Sequence, residues 1–129
     1  MTIELDHAIV SSHHKTESAR QLAELLGVPW GQADVGPFTA VYVNPGLTLD
    51  FIDTQEKYPV QHFCFRVSEA EFDAILARIQ AAGIAYRADV RGPVDMKIST
   101  HWGGRGIYWN EPDGHQWEML THSYARQPR

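Results

Sequence analysis

The sequence predicts an α+β fold: two βαβββ modules forming a curved, cleft-enclosing mixed sheet. Two observations predict it. The apolar patterning gives strands and an amphipathic helix in the same order in each half of the chain. Residues of unusual chemistry then recur at matching offsets in the two halves. The 129 residues have the size of one domain, 1–129, with module one at about 1–56 and module two at about 57–124.

In the first half, Ile3, Leu5, His7 and Ile9 alternate onto one face of a strand. Residues 16–26 (TESARQLAELL) place Ala19, Leu22, Ala23 and Leu26 at helical spacing, and Gly27 stops the helix. Tyr42-Val43-Asn44-Pro45-Gly46 reads as strand into turn, and LTLDFI carries Asp50 on the returning strand. In the second half, Gln61 to Val67 is the strand, with His62, Cys64 and Arg66 on one face. Residues 68–82 place Phe72, Ile75, Leu76 and Ile79 on a helical stripe ending at Gly83. Ser68 and Glu71 form a capping box at its start, each satisfying a free backbone N–H of the other. The segment Asp89 to Arg105, rich in Gly, polar and charged residues, predicts a loop or lid. Tyr108 to Gly114 is again strand into turn, and Glu118 follows between Trp117 and Met119. The polar tail HSYARQPR is expected to fray.

The offsets match. His7 lies twenty residues before Gly27, and His62 twenty-one before Gly83. Asp50 and Glu118 each follow a turn glycine by four residues. Modules related by a pseudo-twofold axis would bring equivalent residues together, so two imidazoles and up to two carboxylates would meet in one cleft. A lone carboxylate in an apolar strand is costly unless paired or neutralised, and a cation removes that cost. Two His with one or two Asp/Glu suit a borderline divalent ion: Fe²⁺, Zn²⁺, Ni²⁺, Mn²⁺ or Co²⁺. The plainer account is that each His is a hydrogen-bonded core or edge residue and that Glu118 pairs with Arg66. Asp50, one methylene shorter than Glu118, has an outward hydrogen-bonding role as its alternative.

The formal charge is −5 and no basic face is concentrated, which argues against nucleic acid or an anionic membrane as partner. No apolar run is long enough to span a bilayer. The start MTIELDHAIV lacks the pattern of a secretory signal, and the single cysteine, Cys64, cannot form an intrachain disulfide. A cytoplasmic location is the expectation.

The stretches LDHAIV, QHFCFRV and YWNEPDGHQWEML resemble the vicinal oxygen chelate superfamily. That group includes glyoxalase I, type I extradiol dioxygenases, fosfomycin-resistance enzymes and bleomycin-resistance proteins. The resemblance covers nearly the whole chain. It implies the glyoxalase/bleomycin resistance/dioxygenase fold and a divalent metal ion held by His7, His62 and Glu118. Asp50 lies where glyoxalase I carries a further Glu ligand. It also implies a homodimer and a small-molecule substrate chelating the ion through two neighbouring oxygens.

HWGGRGIYWNEPDGHQWE further resembles the extradiol dioxygenase signature, with Ser99 departing from it. By that resemblance His101 and Tyr108 line the pocket and orient or protonate the substrate. The alternatives are a solvent-facing loop for His101 and a core position for Tyr108. Arg105, in GGRG, is a candidate fork for a substrate anion, and Trp102 a candidate flat wall. The three tryptophans Trp102, Trp109 and Trp117 divide between wall and core, and alternation puts Trp109 opposite Tyr108.

The functional expectation is therefore a metal-dependent enzyme, extradiol-dioxygenase-like and of a one-domain type. A glyoxalase-type lyase or isomerase and a non-catalytic bleomycin-type binding protein are the alternatives. Asp50 in place of Glu counts against glyoxalase I. The Asp89–Arg105 segment lacks the Ser- and Lys-rich pattern expected of a fosfomycin transferase. The retained ligand residues count against a bleomycin-type binder.

Overall fold

Four strands and one helix make up the first of two units in the computed structural model, which describes residues 2–126. The units are Met1–Pro59 and Val60–Arg129. The first contains β1 (His7–Ser12), α1 (Lys15–Leu26), β2 (Trp30–Gln32), β3 (Thr39–Asn44) and β4 (Leu47–Asp53). Its sheet runs β1-β4-β3-β2, with β1 and β4 parallel and the other neighbours antiparallel. Residues 2–6 lie outside the strand, and Ile3 and Leu5 are exposed. The first strand thus starts at His7, not at Ile3. The Thr48 N–H donates to the Asp6 carbonyl at 3.0 Å, but no ladder pairing extends to residues 2–5, and alternation alone forms none.

Helix α1 buries Ala19, Leu22, Ala23 and Leu25. Leu25 takes the place on the buried stripe that helical spacing assigns to Leu26, which is half-buried. His14, at the N-cap, makes no side-chain cap. Asp53 at the end of β4 accepts from the Lys15 N–H instead, at 2.7 Å. Gly27 ends the helix in the left-handed region, φ 73°, where a side chain would be strained. The unit's core joins these residues to Val10, Val41, Leu49 and Phe51.

The second unit contains β5 (His62–Arg66), α2 (Glu69–Ala81), β6 (Gly106–Asn110) and β7 (Gln116–Leu120), in sheet order β5-β7-β6. Again the strand before the helix pairs in parallel with the last strand, and β6 pairs antiparallel. The capping box is present: Glu71 N–H donates to Ser68 Oγ at 3.1 Å, and Ser68 N–H donates to Glu71 Oε1 at 2.8 Å. Phe72, Ile75 and Ile79 are buried, as are Ile107, Trp109, Trp117 and Met119.

The counterpart of β2 is reduced here to one bridge, Arg87 to Tyr108. The reason is local. Asp95 Oδ1 accepts from the N–H groups of Ala88 (3.2 Å) and Lys97 (3.1 Å), diverting this stretch from a ladder. Arg87 binds the Val90 carbonyl and Asn110 Oδ1, tying the irregular segment to β6. Among the described residues no helix is long and apolar enough to cross a membrane.

Candidate functional site

Each unit places one imidazole and one carboxylate at the same point of its parallel ladder. His7 opens β1 opposite Thr48, and Asp50 lies two residues further along β4. His62 opens β5 opposite Gln116, and Glu118 lies two residues further along β7. Side chains two apart on a strand share a face, so the matching offsets in sequence become matching faces in structure.

In the first unit His7 and Asp50 line one groove together with Asp6, Val35, Tyr42 and Thr48. His7 is exposed, Asp50 half-buried. His7 Nδ1 is 2.7 Å from Asp6 Oδ2, and that hydrogen bond is the main reason its pKa is raised.

In the second unit the pair is in contact. His62 Nε2 stands 3.0 Å from Glu118 Oε1. Glu118 is only 2% exposed, whereas the His62 side chain is 42% exposed. Two donors bound at right angles to one ion, each at about 2.1 Å, stand about 3.0 Å apart. The spacing therefore fits a shared divalent ion, and equally a direct hydrogen bond. Glu118 faces this side of the sheet while its neighbours Trp117 and Met119 fill the core. Its contacts are with His62 and Tyr124, whereas Arg66 pairs along the ladder with Leu120. Among the described residues no three His, Cys, Asp or Glu side chains form a ready-made ion cluster.

Tyr108 and Tyr124 complete the surroundings. Tyr108 is the cross-strand partner of Glu118. The Tyr124 hydroxyl lies 2.7 and 2.8 Å from the two Glu118 oxygens and 3.4 Å from the Tyr108 hydroxyl. Burial raises the pKa of both phenols, reinforced by the Glu118 charge, so both are protonated donors at neutral pH. Tyr124 comes from the tail that sequence reasoning expects to fray. It is half-buried and held, while residues 127–129 of that tail lie outside the described residues. No periodicity marks it; the only signal is an aromatic residue in a polar segment.

Trp102, 56% exposed, rests on Tyr124 with ring centroids 5.5 Å apart. The His101 ring meets Trp102 edge-on at 4.7 Å and is exposed. Ser99, Trp102, Tyr108, Glu118, His122 and Tyr124 line a small recess. Arg105 borders the same recess, but its guanidinium is engaged elsewhere. It bonds Asp73 at 2.8 Å and Glu69 at 3.3 Å, and lies 4.3 Å over the Phe72 ring. The fork expected for a substrate anion is thus occupied by α2 carboxylates. His115, 1% exposed, is committed too: its ring Nδ1 accepts from the Gln61 N–H, and its backbone N–H donates to Glu111 Oε1.

Cys64 pairs with Glu118 across the ladder. Partial desolvation, then the Glu118 charge, push its thiol up to about 12, although the residue is exposed. Alkylation by iodoacetamide at pH 8 is expected to run at least about a hundredfold slower than for an ordinary cysteine, because the thiolate is the nucleophile. Glu118→Gln should speed it without restoring the ordinary rate, since desolvation is the larger cause. Mass spectrometry of the time course checks both. Ordinary reactivity in the unaltered chain would contradict the placement of the thiol.

No protein-family model matches the chain. Among solved structures it is similar to Oxidase ChaP-H2, with 42% identity and a TM-score of 0.88 over 97% of this chain and 98% of that one. It is also similar to Oxidase ChaP-H1, with 40% identity and a TM-score of 0.86 over 97% and 100%. Among curated proteins it is similar to metallothiol transferase FosB of Shouchella clausii (strain KSM-K16), 28% identical over 92 residues. That match spans 71% of this chain and 56% of the relative.

Proposed function

The chain belongs to the vicinal oxygen chelate superfamily, and from that premise we propose that it is a divalent-metal-dependent enzyme of oxygen chemistry. Its substrate is a small molecule with two neighbouring oxygens, handled in an extradiol-dioxygenase-like way. The observation that carries this reading is the contact of His62 with the buried carboxylate of Glu118. The likeness to two oxidases over almost the full chain supports oxygen chemistry over thiol transfer, whose likeness is lower and partial.

In this reading His62 and Glu118 are two donors to the ion. His7 and Asp50 hold the equivalent positions in the first unit. When bound, the ion supplies Lewis acidity toward a chelating oxygen and, if it is iron, redox capacity. The chain's own residues do the rest. Tyr108, protonated, offers its hydroxyl to a substrate oxygen beside Glu118. Trp102 and Tyr124 give a flat apolar flank to a planar substrate. His101, beside Trp102, is the candidate for moving a proton. A homodimer belongs to the same reading.

The test is metal analysis of protein purified without chelator or affinity tag, then anaerobic reconstitution and a screen of catechols and α-oxo thiol adducts. The expected result is about one divalent ion per chain, in keeping with a dedicated site, and oxygen uptake with a catechol. Tight binding of an aromatic ligand by folded protein that takes up no divalent ion would replace this reading with a non-catalytic binder. Turnover of a thiol adduct without oxygen would replace it with a lyase or isomerase.

A further inference from the structure

Glu118 has two carboxylate oxygens, and they are placed differently. Oε1 lies between His62 Nε2, at 3.0 Å, and the Tyr124 hydroxyl, at 2.7 Å. Oε2 has the Tyr124 hydroxyl at 2.8 Å. A carboxylate 2% exposed cannot turn a spare oxygen to bulk water, so that oxygen needs a donor from the protein. We infer that Tyr124 is a positioning residue for Glu118: its hydroxyl, within reach of both oxygens, fixes the carboxylate's orientation so that Oε1 is presented beside His62 to a divalent ion. This rests on the metal reading above and adds a residue outside its donor set.

Three features make Tyr124 suited to the task. Its hydroxyl reaches both oxygens, so it keeps a partner when either one turns to a cation. Its ring is braced by Trp102 at 5.5 Å, which limits the swing of an otherwise irregular segment. The Tyr108 hydroxyl, 3.4 Å away, provides a second polar contact that fixes the phenol's direction. Groups that hold a metal-binding carboxylate in this way set its orientation and hence the geometry offered to the ion. A hydroxyl that only packed the tail would have no reason to face both Glu118 oxygens.

The test uses the full chain stripped of metal. Mn²⁺ affinity is measured by calorimetric titration, and the visible absorption bands of the Co²⁺ form report ligand geometry. Tyr124→Phe, which removes the hydroxyl alone, is expected to weaken Mn²⁺ binding by about 10- to 100-fold, the usual effect of losing such a partner. It should also shift the Co²⁺ bands, and circular dichroism should show an unchanged fold. Glu118→Gln is expected to abolish binding. If Tyr124→Phe binds Mn²⁺ within twofold of the unaltered chain and keeps its Co²⁺ spectrum, the inference is overturned while the metal reading stands. If the unaltered chain takes up neither ion, or Glu118→Gln binds as well as it does, both fall.

Discussion

Glu118→Ala is expected to lower divalent-ion affinity by more than about a hundredfold, beyond the range for losing an outer partner of a metal ligand. Turnover should fall with it. The physical reason is the combination of burial and contact. Glu118 is 2% exposed and 3.0 Å from His62 Nε2, so no solvent-borne group is free to take its place. His62→Ala is expected to act in the same direction. It acts less strongly, because water can reach the space left by a side chain 42% exposed. Asp50→Asn separates the two accounts of that residue. A loss of ion affinity close to that of Glu118→Ala would place it in the donor set, and a change under about threefold, less than 1 kcal/mol, would leave it outside. The measurement is metal content and titration of each folded variant. Retention of a full complement of ion by Glu118→Ala would end the metal reading, whatever the substrate screen gave.

The repeat that leads to Glu118 was legible because it is written in residues that break the local pattern. A His in a strand, a carboxylate between Trp117 and Met119, and Gly27 and Gly83 after each helix are all visible without coordinates. The capping box of Ser68 and Glu71 was likewise readable, since both partners lie within one turn. What was not legible depends on groups far apart in the chain. Tyr124 meets Glu118 because an irregular segment turns back, and no periodicity records that turn. Arg105 reads as a candidate fork between glycines, but Glu69 and Asp73 on α2 reach it from more than thirty positions away. Alternation starts β1 at Ile3 because it shows which residues would share a face, not how far the ladder with β4 extends, and that ladder begins at His7.

The three tryptophans of the second unit show the same limit, and they supply the largest expected effect on stability. Trp109→Ala is expected to destabilise the protein by about 3–5 kcal/mol, the usual cost of deleting a buried aromatic ring. For a chain of this size that corresponds to a fall in melting temperature of roughly 10–20 °C. Trp109 is fully buried, on the face of β6 opposite Tyr108 and cross-strand from Trp117, so its loss opens a cavity that the sheet cannot collapse into. Its Nε1 is buried with no hydrogen-bond partner among the described residues. Trp109→Phe therefore loses no bond, and should cost much less than Trp109→Ala. Trp102→Ala, by contrast, is expected to cost no more than about 1 kcal/mol, because it removes only ring contacts with Tyr124 and His101 at the surface. Its effect should appear instead as weaker binding of a planar substrate. Thermal and urea denaturation of the three variants decides the matter. Equal destabilisation by Trp102→Ala and Trp109→Ala would mean that Trp102 belongs to the core and does not flank the recess beside Glu118.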